Sequence, residues 1–235
     1  MKIQILESTD TNIKFVLKDS FISYANAIRR ILISEVPTVT IDLVEIEINN
    51  TALPDEIISS RLGLIPIYVH KDLLFRDQCD CTDSCSKCSI DLTIFANNNN
   101  NEPLIVTCKD FKYDTNLISI KNAPIIAKLG ANQSLKVKCK AFKGTGSIHA
   151  KWSPVSTVGF EYDKGNKTRS TNFWRENDQD TIAEDDSDLL VKINEIEMNV
   201  EIVEGFGRPL DILVKALEIL KNKFNYLKKD LIQYI

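Results

Sequence analysis

The apolar residues of the C-terminal segment recur every three or four positions, which is the heptad pattern of a long amphipathic helix. They are Leu210, Leu213, Leu217, Leu220, Phe224, Leu227, Leu231 and Tyr234. A second line at spacing seven, Ile212, Ile219 and Tyr226, widens the apolar arc. One small sheet cannot cover so wide an arc alone. The helix therefore lies in the core of this chain or is shared with a partner's helix, and the periodicity favours both equally.

The first 49 residues alternate between strand-like and helix-like patterns. Alternating apolar residues predict a hairpin over 3–17. A helix is predicted over 21–35, with Asp19 or Ser20 as its N-terminal cap. The alternation in 38–49 changes phase once, which predicts a long strand with a bulge.

The middle of the chain, residues 64–163, contains strand-like runs and turn signals without a long amphipathic helix. Segment 134–141, SLKVKCKA, is the clearest strand, with apolar side chains on one face and three lysines on the other. Five consecutive asparagines at 97–101 predict a surface loop. With a further strand pattern at 196–202, the sequence predicts an α+β fold whose middle is mostly β.

Four of the six cysteines lie within ten residues, at Cys79, Cys81, Cys85 and Cys88. The spacing C-x-C-x3-C-x2-C allows four thiolates to converge on one tetrahedral ion, and thiolates suit Zn²⁺ or, less often, an iron–sulfur cluster. Four sulfurs close the coordination shell, so such a site is structural. The alternative is a redox pair, Cys85 and Cys88, beside two incidental cysteines. Cys108 and Cys139 lack partners at such spacing and are predicted to lie in the core.

Composition and charge argue against several classes of protein. No apolar run approaches the ~20 residues of a membrane span. The start, MKIQILESTD, lacks the apolar stretch of a signal peptide, so we expect the cysteines in a reducing compartment. Proteins whose main function is to bind the phosphate backbone of nucleic acids usually carry an excess of basic residues. The net charge of −4 argues against that class. The acidic stretch 176–201 is interpreted first as a solvated loop and second as a docking surface.

The sequence contains no pattern that argues for catalysis. His70 and His149 are the only histidines, and no nucleophile can be assigned to either. The phosphate-binding, dinucleotide-binding and nucleophile-elbow motifs are all missing from the sequence.

Three stretches together resemble one family. ANAIRRILISEVPTVTIDLVEIEINNT, followed by LPDEIISSRLGLIPI, is similar to the signature of the α subunits of DNA-dependent RNA polymerases. The patch CDCTDSCSKCS and the later HAKWSPVSTVGFEYD resemble, within that family, the third-largest-subunit group of eukaryotic RNA polymerase II. The resemblance runs from about residue 3 to the terminal helix.

The resemblance implies a dimerisation domain built from both chain ends, 1–38 and 164–235. It implies an inserted, mostly-β domain at 39–163 with a zinc loop at 79–88, where the four clustered cysteines match the family's ligands to one structural Zn²⁺. The implied function is that of a non-catalytic assembly subunit in the nucleus. It would pair with a smaller α-like subunit, form a platform for the large catalytic subunits, and meet nucleic acid only through the whole complex.

The resemblance also implies partner surfaces. The helices matching 21–35 and 210–234 form the family's heterodimer interface, which favours the shared-helix interpretation of the heptad. Arg29 and Arg30 match paired arginines that contact the second-largest subunit. HAKWSP and the acidic segment after Trp174 fall where small zinc-bearing subunits bind. The residues expected at partner surfaces are Phe21, Tyr24, Ile28, Arg29, Arg30, Leu32, Leu210, Leu213, Leu217, Leu220, Phe224, Leu227 and Leu231.

Several alternatives stay open at this point. The chain could be the archaeal counterpart, or the paralogue shared by polymerases I and III, although that paralogue lacks the cysteine loop. From a different class, it could be a free-standing zinc module that binds nucleic acid, against which the acidic charge counts. A redox protein that uses Cys85 and Cys88 is a further alternative.

Overall fold

The computed structural model describes residues 2–121, 123–162 and 195–232. The helices in these ranges are α1 (Ile22–Ser34), α2 (Asp55–Gly63) and α3 (Pro209–Ile232). The strands are β1 (Lys2–Ser8), β2 (Asn12–Lys18), β3 (Thr38–Asn49), β4 (Tyr68–Val69), β5 (Ser89–Asn98), β6 (Leu104–Thr107), β7 (Ile118–Ser119), β8 (Ile125–Leu129), β9 (Gln133–Gly144), β10 (Val155–Glu161) and β11 (Glu195–Ile202). No helix within the described ranges is long and apolar enough to cross a membrane.

Both ends of the chain meet in one antiparallel sheet, here called the end sheet, with the strand order β1-β2-β11-β10. Its two central strands alternate strictly and bury one face. On that face Ile13, Phe15 and Leu17 of β2 lie opposite Val200, Met198 and Ile196 of β11. Helices α1 and α3 pack against this face and against each other. The predicted hairpin, first helix and final strand are confirmed.

The middle of the chain forms a second, mostly-β unit with its own apolar core. Its main sheet has the order β3-β9-β5, and the short pairs β4-β7 and β6-β8 complete it. Strands β3 and β9 pair along their full length, with register shifts between Ile41 and Leu43 and between Ile46 and Ile48. The bulged long strand is confirmed, and so is the inward face of β9. The α+β fold with a mostly-β middle is therefore confirmed.

Strand β10 lies in the end sheet, whereas the predicted division assigned its residues to the insert. It pairs with β11 from Val155 opposite Ile202 to Glu161 opposite Glu197. The apolar side chains of β10 pack into the core beneath α1 and α3, which explains the difference. The two-domain division stays a prediction, and the sheet pairing favours an insert that ends before β10. The acidic segment 176–194 lies outside the described residues.

Two local predictions differ from the structure. Asn98 ends β5 and is buried, because its Nδ2 donates hydrogen bonds to the carbonyls of Glu102, Leu129 and Gly130. The prediction of a surface loop is therefore wrong for Asn98, and Asn97, although exposed, also lies in β5 rather than in a loop. The predicted cap of α1 is also wrong, since the N-cap residue is Phe21 and no side chain caps the helix.

Residues 144–154, here called the junction segment, connect the two cores. The indole of Trp152 is buried against Gly144. A Cβ on Gly144 would lie only 2.4 Å from Cε2 of the indole, so glycine leaves the space that the ring occupies. The indole Nε1 donates to the carbonyl of Phe142 at 3.2 Å, and the Thr38 hydroxyl donates to the carbonyl of Trp152 at 2.7 Å. Trp152 thereby holds the start of β3 next to the end of β9.

Gly146→Ala is expected to destabilise the chain. A Cβ at this position would lie 2.2 Å from the backbone oxygen of Ile33, which cannot move without α1. We expect a loss of about 1–3 kcal/mol in the free energy of unfolding, as for other overpacked sites. Gly159→Ala in β10 is the control, because a Cβ there meets nothing within 4 Å. Urea unfolding of the full chain measures both, and equal stability of the two variants would contradict the close approach at Gly146.

Candidate metal centre and subunit interface

The four clustered cysteines lie in one tight loop that precedes β5, here called the cysteine loop (residues 74–88). The backbone N–H of Leu74 donates to the carbonyl of Lys87 at 3.0 Å, which closes the loop at its base. The backbone N–H of Cys88 donates to the carbonyl of Cys85 at 3.0 Å, so the chain turns sharply between these two residues. The turn brings the later cysteines back toward the earlier ones.

The sulfur atoms of the cysteine loop are arranged as one group, all within 4.8 Å of one another. Close pairs are Cys79–Cys85 at 3.5 Å, Cys81–Cys88 at 3.6 Å and Cys85–Cys88 at 3.8 Å. Four sulfurs at ~2.3 Å from one ion in a tetrahedron lie about 3.8 Å apart. An iron–sulfur cluster spreads its cysteine sulfurs more widely, because they bind different irons. The spacing fits a single tetrahedral ion.

The thiols in this group perturb one another's ionisation. The backbone N–H of Lys87, together with the neighbouring thiols, lowers the pKa of Cys85 to about 7. The thiols of Cys79 and Cys88 raise the pKa of Cys81 to about 12. Several negative sulfurs cannot share so small a volume without a counter-charge. A divalent cation supplies that charge and favours the thiolate form of every ligand, so the four cysteines could bind a metal ion.

The two remaining cysteines lie in the core of the mostly-β unit, as predicted. The exposed fraction is 1% for Cys108 and 2% for Cys139. Burial raises the pKa of each thiol to about 12. Neither belongs to the sulfur group, and both behave as small apolar residues.

Alkylation of the native chain should therefore separate four classes of cysteine. With a chelator present, we expect Cys85 to react first, because its side chain is half-exposed and its pKa is about 7. Cys79 and Cys81 should react more slowly, because they are half-exposed but their pKa values are raised. The buried Cys88 should follow, and Cys108 and Cys139 should react only after unfolding. Peptide mass spectrometry after timed quenching measures this order. Early modification of either core cysteine would contradict the described burial.

Helix α1 buries two of the residues that the sequence assigned to a partner surface. Ile28 and Leu32 lie in the core beneath the helix, and Tyr24 is half-buried. Phe21, just before the helix, has an exposed fraction of 76%. Of these four residues, only Phe21 presents most of its surface to a partner.

Helix α3 divides into two halves. In the first, Leu213 and Leu220 are buried in the chain's own core and Leu217 is half-buried. Beyond Leu220 the helix extends past that core, and its apolar stripe is uncovered within the described part of the chain. The exposed residues of the predicted stripe are Leu210, Phe224, Leu227 and Leu231, at 46%, 60%, 55% and 57%. The heptad is thus partly a core pattern and partly an exposed apolar surface.

The two arginines of α1 differ in their surroundings. Arg29 is half-buried, and its Nε and a terminal nitrogen donate to the Asn26 side-chain oxygen at 3.1 and 2.8 Å. Arg30 is exposed. Neither forms an ion pair with a carboxylate in the part of the chain that the structure describes. Arg29 is therefore oriented by a neutral group, and its positive charge is not compensated by a described neighbour.

The segment HAKWSP contributes less surface than its aromatic content suggests. The indole of Trp152 is buried in the junction, and the Lys151 ammonium bonds Asp42 at 2.5 Å. His149 and Ala150 of this segment are exposed, and so is Ile148 just before it. Any partner of this segment would contact those three residues rather than the indole.

Comparison with known proteins decides the family. Residues 44–158 match the RNA polymerase Rpb3/RpoA insert domain. The chain is 34% identical to DNA-directed RNA polymerase II subunit RPB3 of Schizosaccharomyces pombe over 97% of this chain and 86% of that protein. The chain belongs to the Rpb3/RpoA family of RNA polymerase subunits.

Other members extend this similarity. The chain is 41% identical to subunit 3 of DNA-directed RNA polymerases II, IV and V of Arabidopsis thaliana, over 69% of this chain and 57% of that protein. It is 30% identical to the Rpo3 subunit of Archaeoglobus fulgidus over 97% of both chains. The chain thus spans most of the yeast and archaeal relatives, but little more than half of the plant relative.

Sequence reasoning missed the residues through which this Rpb3/RpoA member fixes the cysteine loop to β9. Lys140 contacts Ser84 of the loop, and the Arg76 guanidinium lies over the Phe142 ring at 5.2 Å. Their only signal was the lysine face of 134–141, which is also the ordinary pattern of a solvated strand. The contact partners are more than fifty residues away, so periodicity could not reveal them.

Proposed function

We propose that this chain is the Rpb3-type assembly subunit of a eukaryotic RNA polymerase II, that it is not catalytic, and that it pairs with a smaller α-like subunit. The exposed second half of α3 is the observation that supports pairing. Its apolar face continues a stripe that is buried in the first half, so a partner helix would extend an existing core. The names and identities of the eukaryotic relatives support the choice of polymerase.

The mechanism of such a subunit is thermodynamic. Phe224, Leu227 and Leu231 each keep more than half of their surface accessible. Covering them would contribute about 1–2 kcal/mol each. Phe21 and Leu210 would add to this surface. A pair stabilised in this way offers the large subunits a preformed platform, so that they dock without the ordering cost of two separate chains.

Phe224→Asp with Leu227→Asp is expected to abolish pairing while the chain still folds. Both side chains are exposed in the chain itself, whereas a charge buried at the interface would cost about 3 kcal/mol or more. That cost corresponds to at least about a 100-fold loss of affinity. Substitution of Leu217 and Leu220 is a poorer test, because Leu220 belongs to the chain's own core.

The matched control is Asn222→Asp with Asn225→Asp, which adds the same charge on the other side of α3. Mass spectrometry of proteins that co-purify with the tagged chain from its native cells measures pairing. We expect an α-like subunit and two very large subunits with the wild type and the control. Equal recovery with the Phe224 and Leu227 double variant would refute α3 as the pairing surface.

Further partner surfaces follow from the same proposal. Arg29 and Arg30 would contact the second-largest subunit. The guanidinium of Arg29, which pairs with no carboxylate among the described residues, suits a carboxylate there. HAKWSP, through its exposed residues His149 and Ala150, and the acidic segment after Trp174 would face small zinc-bearing subunits. The chain would meet nucleic acid only through the whole complex, in line with its net charge of −4. An RNA polymerase II subunit acts in the nucleus, which is the expected location.

The cysteine loop is proposed to bind one structural Zn²⁺ through Cys79, Cys81, Cys85 and Cys88. The sulfur spacing, near that of a single tetrahedral ion, supports this assignment over an iron–sulfur cluster. Four protein ligands leave no open position for a reacting water, so the ion would supply stability rather than chemistry.

Elemental analysis of the purified full chain should give one zinc per chain. Cys85→Ser should lower this content strongly, because a hydroxyl is a poor substitute for a thiolate ligand. Cys108→Ser is the control, since Cys108 lies outside the sulfur group and its Sγ donates to the Pro124 carbonyl as a hydroxyl could. A wild-type chain that contains no zinc and takes up none when zinc is added would contradict the zinc assignment.

Two alternatives are less well supported. An archaeal origin is disfavoured because the plant subunit is 41% identical over 69% of this chain, whereas an archaeal Rpo3 subunit covering the same share is 33% identical. A free-standing zinc module that binds nucleic acid is disfavoured by family membership and by the acidic charge. An electrophoretic shift assay with the full chain separates that alternative from the proposed assembly role.

A further inference from the structure

Three lysines on the outer face of β9 have different partners. Lys136 and Lys138 both pair with Glu47 of β3, which lowers the pKa of that carboxylate through two hydrogen bonds. Lys140 instead donates to the Ser84 hydroxyl of the cysteine loop at 2.5 Å. The first two lysines form the charge ladder expected on an open sheet face. The third departs from it.

Lys140 does not lack a neighbouring carboxylate with which it could form an ion pair. Asp91 of β5 is the direct register partner of Lys140, and it is exposed. No ion pair between the two is found among the described residues. The Lys140 ammonium turns toward the loop, where its contact with Ser84 is partly buried. Ser84 immediately precedes Cys85, so the contact lies next to the sulfur group.

The charge of the loop explains why a cation is favourable there. Between residues 76 and 88 the sequence has three aspartates against one arginine and one lysine. Arg76 already pairs with Asp83 at 3.4 Å. Four thiolates around one divalent cation carry a net charge of about −2. A cation on a fixed strand nearby stabilises this excess negative charge at low cost in side-chain entropy.

Other contacts hold the base of the loop to the same strand. The Arg76 guanidinium lies over the Phe142 ring at 5.2 Å, and the Lys143 ammonium lies over the Phe75 ring at 5.0 Å. Lys143 also pairs with Asp72 at 2.6 Å. The C-terminal end of β9 therefore supports the cysteine loop. Among these contacts, the one between Lys140 and Ser84 lies closest along the sequence to a cysteine.

We propose that Lys140 is a positioning residue of the metal centre: it fixes the Cys85 side of the loop through Ser84 and offsets the negative charge of the four thiolates. The inference rests on the proposed binding of Zn²⁺. It assigns a function in metal binding to a residue that is not a ligand.

The test compares zinc affinity of the full-length chain with and without this contact. Zn²⁺ is titrated in competition with a chromophoric chelator for the wild type, Lys140→Met and Lys138→Met. We expect Lys140→Met to bind zinc about 10- to 100-fold more weakly, as for other residues that support metal ligands. Lys138→Met should match the wild type, because Lys136 still pairs with Glu47. Cobalt(II) absorption then shows whether four thiolates still bind in each variant.

Ser84→Ala removes the other side of the contact without changing β9. It should weaken zinc binding in the same direction, and the double variant should lose little more than Lys140→Met alone. If Lys140→Met fails to fold, Ser84→Ala carries the test, because it lies in the loop. Equal affinity of wild type, Lys140→Met and Ser84→Ala would overturn the inference and leave the zinc proposal intact. A wild type without tight zinc would overturn both.

Discussion

The contacts of Trp152 hold the end of β9 beside the start of β3, where the chain passes between the end sheet and the mostly-β unit. The end sheet joins residues 2–18 to β10 and β11, so the more than one hundred residues between β2 and β10 must leave it and return to the same place. Closing a loop of that length costs about 4 kcal/mol in chain entropy. The long pairing of β3 with β9 offsets this cost, because it brings Thr38 opposite Gly144. The indole then occupies the space that Gly144 leaves open.

The apolar face of the end sheet is only partly covered by the chain's own helices. Helix α3 covers the middle strands with its first half. The inward-facing residues of edge strand β1, Ile3 and Ile5, lie opposite Leu17 and Phe15 and yet keep 45% and 51% of their surface exposed. The uncovered apolar surface therefore includes both the sheet edge and the end of α3. A partner that covered it would continue the same core, which is the property expected of an assembly subunit rather than of a self-contained domain.

Sequence patterns predicted the parts of this fold that depend on local periodicity. The hairpin, the bulged β3, the inward face of β9 and the grouping of four cysteines all follow from spacing along the chain. What the patterns could not predict depends on distant partners. Asn98 lies in a low-complexity run, but three carbonyls, two of them about thirty residues away, bury its amide. Strand β10 joins the end sheet because β11 is its partner, and Lys140 turns to Ser84 across 56 residues.

The cysteine loop and the core beside it differ in what stabilises them. From residue 72 to 88 only Leu73 and Cys88 are buried, so the loop has almost no apolar core of its own. The mostly-β unit, in contrast, buries a full set of inward-facing residues from β3, β5, β8 and β9. A small zinc domain folds only with its metal, because metal binding is its folding free energy. Here the burial of apolar side chains is enough for the sheet to fold without a metal. The four cysteines and the contacts with β9 then need to order only the cysteine loop.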